Sequence, residues 1–153
     1  MMIPGKQMRG KGYWGLQVPG WLLLGYLVYA QGITAFGYDL GVAMGTQEPV
    51  SAITAVGAAF WYGFALGDLL IYIPLLMTGL IGHACARSWG PPCLSAALGI
   101  TVYWPVVCLA ALVEARGAAG WNLAGETPYW TVLPLISLWG AWGLFRVIRG
   151  EAL

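Results

Sequence analysis

Few side chains in this sequence can carry a charge, and Asp68 is the one that most needs explaining. It sits in the run Phe64-Ala65-Leu66-Gly67-Asp68-Leu69-Leu70-Ile71-Tyr72, with apolar residues on both sides. A carboxylate within hydrocarbon costs about 2.5 to 3.5 kcal/mol on insertion scales, so such a residue faces the protein interior and has a partner or a task. Helical spacing puts Trp61, Ala65, Asp68 and Tyr72 on one face, an acid flanked by aromatic side chains. That surface suits a cation with apolar bulk, held by charge and by cation–π contact. The competing reading is a protonated or hydrogen-bonded acid that only fixes helix packing.

Two further acids lie near the ends of apolar stretches, Asp39 in the first and Glu114 in the third. The segment Thr101-Val102-Tyr103-Trp104-Pro105 adds aromatic and polar atoms at about the depth of Asp68. If the inward faces converge, Asp68, Asp39, Glu114, Trp61, Tyr72, Tyr103 and Trp104 line one ligand pocket. Pro74, Pro105 and Pro134 each remove an amide and free the carbonyl of Leu70, Thr101 or Trp130, so three bends at similar depth favour a cavity. Other chemistry finds little support. The one histidine, His83, falls at the end of its stretch, where an interfacial role is expected. One histidine and scattered thiols are too few for a metal site, and the sequence contains no phosphate-binding loop, dinucleotide fingerprint or nucleophile elbow. No metal and no cofactor is expected.

The elements that must position these residues follow from composition. Of 153 residues, 59% are hydrophobic and 8% charged, far from the balance of a soluble domain. The net charge is +1 with no basic face, which argues against a nucleic-acid partner. Apolar stretches cover about residues 18–44, 55–83, 93–114 and 128–148. Each is longer than the roughly 18 residues that cross a bilayer. Continuous apolarity without strict alternation requires helices rather than a barrel. The expectation is an all-α integral membrane four-helix bundle, one domain over residues 1–153.

Lys6, Arg9, Lys11, Arg87, Arg146 and Arg149 all fall on one side of this map and Arg116 on the other, so both the N and C termini are expected to be cytoplasmic. A second reading takes the basic start and Val28-Tyr29-Ala30 as a signal peptide cleaved after Ala30, leaving three spans. Apolar character continuing through Ile33, Phe36 and Leu40 favours retention. Cys85, Cys93 and Cys108 form no pairing pattern and are expected as free thiols. Glycines at 37, 41 and 45, and small residues at Ala59, Gly63 and Gly67, recur every fourth position as on one helix face. They are expected to serve tight packing within the bundle, with a homodimer or a membrane-protein partner through the Gly37, Gly41, Gly45 face as the alternative.

The runs Trp21-Leu22-Leu23-Leu24-Gly25-Tyr26 leading to Asp39-Leu40, and Gly67-Asp68-Leu69-Leu70-Ile71-Tyr72-Ile73-Pro74, resemble the first two helices of the EXPERA-domain family, which comprises the emopamil-binding sterol isomerase, the sigma-2 receptor and their relatives. The likeness is greatest to the sigma-2 receptor branch. It implies a four-helix bundle with cytoplasmic ends and a cavity for sterols or amphipathic amines, in which Asp68 faces the ligand amine and Asp39 is the first-helix acid. The isomerase branch uses a histidine that has no counterpart here within the membrane. The expected function is therefore non-catalytic binding of a hydrophobic or cationic amphipathic ligand, sterol-like or lipid-like, among membrane lipids. The alternatives are carboxylate-driven isomerase-like catalysis and an accessory subunit of a membrane complex. High Gly, Ala and Trp use with short loops points to a bacterial inner membrane.

Overall fold

The computed structural model describes residues 10–123 and 125–151, which are all-helical, with no strand among them. Helix α1 (Lys11–Leu27) runs through a π turn, π1 (Val28–Gly32), into α2 (Ile33–Phe36). After Gly37 comes α3 (Tyr38–Ala43), and then α4 (Val50–Gly67), a second π turn, π2 (Asp68–Tyr72), and α5 (Ile73–Ala84). Helices α6 (Gly90–Ala115) and α7 (Thr127–Ile148) complete the chain. Three of these runs, Val50–Ala84, Gly90–Ala115 and Thr127–Ile148, are long and apolar enough to cross a membrane. Their outward faces agree with that: Val56, Leu70, Leu135 and Leu138 are largely exposed. The first run is as long but is diluted by Lys11, Gln17, Gln31 and several Tyr and Trp.

Local sequence explains the interruptions. Pro74 has no amide and its ring would meet the carbonyl four residues back. The helix widens there, and the Ile73 amide bonds to the Asp68 carbonyl five residues behind it. The π turn at 28–32 contains no proline; it packs against the turn at 68–72. Within α4, Thr54 adopts φ 67°, ψ 165°, which sets off the first turn from the rest. The Thr54 hydroxyl accepts the Gly57 amide at 3.3 Å, and the Asn122 amide donates to the detached turn at the Ala52 carbonyl at 2.7 Å. Uninterrupted helix therefore begins at 55, where the apolar reading places it.

The first stretch departs from its expected bounds of 18–44. Helix begins at Lys11 and stops at Phe36, because Gly37 takes an extended conformation (φ 173°, ψ 124°). Gly45 lies in the left-handed region (φ 70°), so glycines 37, 41 and 45 do not share a helix face; they form a break, a packing contact and a turn. Gly63 and Gly67 border open space, so this second group does not serve close packing within the bundle either.

Tight approach occurs elsewhere. A Cβ on Gly79 would lie 2.7 Å from the Leu94 backbone, and Gly82 meets Gly90, which brings α5 against α6. Leu16, Leu23 and Leu27 of α1 pack with Tyr72, Leu76 and Leu80 and with Leu94 and Leu98 to form the core. Both described ends of the chain meet here: Gly12 faces Arg146, and the Trp139 indole donates to the Gly15 carbonyl at 2.9 Å. At the opposite end the bundle is looser, and the cavity lies there.

Candidate functional site

The site is built from residues that the helix breaks bring together. After α3, the segment 44–48 folds back over the bundle, with the Tyr38 hydroxyl donating to the Glu48 carbonyl at 2.8 Å and the Gln47 amide reaching Gln31 at 3.4 Å. Beneath it is a cavity of 690 Å³. Tyr26, Tyr29 and Gln31 of the first run, Trp61 of α4, Trp104 and Cys108 of α6, and Pro128, Tyr129, Val132 and Leu133 of α7 form its walls. Residues 44–48, Glu48 among them, close it above, and Gly125 completes the rim. Trp104 and Leu133 directly precede Pro105 and Pro134.

Glu48 is the acid on the cavity surface. One carboxylate oxygen accepts the Tyr129 hydroxyl at 3.3 Å. Asp68 does not line the cavity but lies beside its wall: its carboxylate is within electrostatic reach of Cys108, which lines it, and of Tyr72. Asp68 is 8% exposed, and no group among the described residues hydrogen-bonds its carboxylate. Below it, Tyr72 is buried with its hydroxyl 2.5 Å from Thr101 Oγ1. Thr101 donates its own proton to the Ala97 carbonyl at 2.9 Å, so the Tyr72 hydroxyl donates to Thr101 and spares no proton for Asp68. The Trp104 indole N–H is also buried, near the Tyr72 hydroxyl but outside good hydrogen-bond geometry.

Of the seven residues expected to share a pocket, four come together: Trp61 and Trp104 on the wall, Asp68 and Tyr72 beside it. The other three do not. Asp39 is exposed because the chain turns at Gly37 and α3 leaves the axis of the first run. Glu114 is exposed in the last turn of α6. Tyr103 is 67% exposed, since adjacent helical positions point about 100° apart and Trp104 takes the inward one. Sequence reasoning missed Glu48, Tyr26, Tyr29 and Tyr129. Their positions in the sequence, among apolar residues for the tyrosines and in a short connection for Glu48, carry no signal that they converge.

A second buried polar group occupies the tight end. Gln17 donates to the Leu80 carbonyl at 3.1 Å and to His83 Nδ1 at 2.9 Å, and its Oε1 accepts the Trp21 indole at 2.8 Å. His83 stacks on Tyr13 at 5.4 Å and is 3% exposed, so it is an interior residue and not the interfacial one expected. With Gln17 saturated, this cluster ties α1 to α5 and presents no free group to a ligand. Cys85, Cys93 and Cys108 are free thiols, and among the described residues no three metal-ligating side chains gather. On the rim of the open end, Arg116 forms a two-pronged ion pair with Glu126, which also accepts the Trp130 indole at 2.9 Å. These bonds hold the Glu126 carboxyl well below the ordinary carboxylate range, at about 2, and raise the Arg116 guanidinium. The chain matches no protein-family model, no curated protein and no solved structure.

Proposed function

We propose that this protein is a four-span membrane protein with both termini in the cytoplasm, related to the EXPERA-domain family, and that it binds a hydrophobic or cationic amphipathic molecule, sterol-like or lipid-like, without transforming it. The observation that carries the reading is the 690 Å³ cavity walled by Trp61 and Trp104, with the carboxylate of Glu48 on its surface and the unpartnered Asp68 beside it. Cavities of roughly 300 to 1,000 Å³ with mostly apolar walls and a few polar groups are typical of small-molecule sites. Buried acids in membrane segments mark such sites by default. The first run, though more polar, has the length to span, and its polar Gln17 is matched inside the bundle. The alternative of carboxylate-driven isomerase-like catalysis needs Asp68 and Glu114 to share a proton, and Glu114 is exposed in the last turn of α6 while Asp68 is buried beside the cavity, which favours binding over catalysis.

Native mass spectrometry of the detergent-purified protein, compared with folded Asp68→Asn and Glu48→Gln variants, tests this. The wild type is expected to retain a defined small molecule that one or both variants lose. Retention of bulk phospholipid alone by all three, with equally poor uptake of added sterols and amines, would sink the ligand reading. A stoichiometric protein partner that copurifies irrespective of both acids would put the accessory-subunit reading in its place.

A further inference from the structure

The proposed ligand site contains more detail than a generic amphiphile needs. Hydrogen-bond acceptors in the cavity are partly engaged: Glu48 Oε1 by Tyr129, and the Gln31 side-chain oxygen by Gln47. Aromatic side chains dominate what remains, with Tyr26, Tyr29, Trp61, Trp104 and Tyr129 all on the lining. A primary ammonium brings three N–H donors and loses affinity for each one left without an acceptor. A quaternary ammonium has none, and its charge is spread over methyl groups that pack on aromatic surfaces, the arrangement used to recognise choline and methylated lysine.

Trp61 also belongs to a second depression. This groove of 340 Å³ runs between α4 and the end of α6, and is bordered by Val56, Gly57, Phe60, Ala111, Ala115 and Trp121. Its lining is almost wholly apolar, and Trp61 is the residue that borders both it and the cavity.

Resting on the ligand-binding reading above, we infer that the cavity receives a quaternary ammonium head against Glu48 and its aromatic ring of Tyr26, Tyr29, Trp61, Trp104 and Tyr129, while the groove beyond Trp61 takes the hydrocarbon chain of the same molecule. Such a ligand is a single-chain amphiphile. The same head chemistry also occurs in soluble solutes such as choline.

The test is isothermal titration calorimetry of the full chain in phosphatidylglycerol nanodiscs, which contain no choline headgroup, with heats from empty nanodiscs subtracted. The probes are dodecyltrimethylammonium, dodecylammonium and choline. Dodecyltrimethylammonium is expected to bind about tenfold more tightly than dodecylammonium, the ratio that a cation–π advantage of about 1.4 kcal/mol gives. Trp61→Phe should keep this preference, and Trp61→Leu should abolish it. Trp104→Leu is the parallel variant on α6 should Trp61→Leu fail to fold. Choline should bind at least about tenfold more weakly than its dodecyl counterpart, since it has no hydrocarbon chain to bury in the groove. Equal affinity for the two dodecyl cations, both weakened by Trp61→Leu, would overturn the quaternary-ammonium inference and leave the cavity reading standing. Choline binding as tightly as the dodecyl compound would overturn the groove and assign the site to a soluble solute. No binding of any probe would overturn this inference, while the ligand-binding reading would stand or fall on the native mass spectrometry above.

Discussion

Thr54 holds a backbone conformation (φ 67°, ψ 165°) that is nearly exclusive to glycine, and it does so at the edge of the apolar groove. Such conformations cost of order 1 to 3 kcal/mol in a residue with a side chain. Its hydroxyl caps the helix that follows, but replacing a cap by glycine costs only a few tenths of a kcal/mol. Thr54→Gly is therefore expected to stabilise the protein by about 1 kcal/mol, read as a rise in the midpoint of thermal unfolding in detergent. An unchanged or lower midpoint would mean that the surroundings do not hold Thr54 under strain. At this scale the sequence was informative about Asp68, because an acid flanked by apolar residues is conspicuous without any knowledge of the fold. It was uninformative about Glu48, which reaches the cavity only because the 44–48 segment folds back, and a fold-back of this kind leaves no mark on hydropathy. Asp39 and Glu114 were misplaced for the converse reason: nearness in depth does not determine which way a helix face points.

Among the elements, the close contact of α5 with α6 depends on glycine at one position and not at another. A methyl on Gly79 would stand 2.7 Å from both the amide nitrogen and the Cα of Leu94, atoms that cannot move aside as a side-chain tip would. Alanine gains about 1 kcal/mol in helix propensity, whereas overpacking costs about 1 to 3 kcal/mol and lies at the high end when backbone must shift. Gly79→Ala should lower the thermal midpoint. Gly99→Ala, where a Cβ would meet nothing within 4 Å, should raise it. Matched thermal scans of the pair check both signs at once, and a midpoint for Gly79→Ala at or above wild type would refute the close packing. The helices themselves were legible in the sequence: the stretches read as 93–114 and 128–148 lie inside Gly90–Ala115 and Thr127–Ile148. The two π turns were not, since one extra residue in a turn barely alters a hydrophobic pattern. Pro74 hinted at one of them; nothing in the sequence marked the other. The glycines at 37, 41 and 45 misled because their spacing has helical meaning only if the helix continues through Gly37, and it does not.

At the scale of the whole molecule, the connection from α6 to α7 on the rim of the open end is clasped by Arg116, Glu126 and Trp130. Glu126 titrates near 2 in the folded protein, below its ordinary value of 4.5. Its contribution to stability is thus complete above about pH 4.5 and fades as pH falls through that value toward 2. The pair is exposed and screened, so the effect should shrink in high salt. Limited proteolysis of the 116–127 connection is expected to accelerate over this pH window in the wild type and to be fast throughout in Glu126→Gln; a pH-independent rate in the wild type would show that the clamp does not hold the rim.

The opposite end has a consequence for biosynthesis. Gln17 finds its partners at Leu80 and His83, 63 and 66 residues further along the chain, and Gly15 receives the Trp139 indole 124 residues on. As the chain emerges from the ribosome, the first helix must therefore wait, with its glutamine amide lacking these partners, until most of the protein has been made. Helices α5 and α6 can meet as neighbours as soon as both are made. The order of synthesis and the order of assembly thus differ: α1 is made before α5 and α7 and can be locked in place only after both are present.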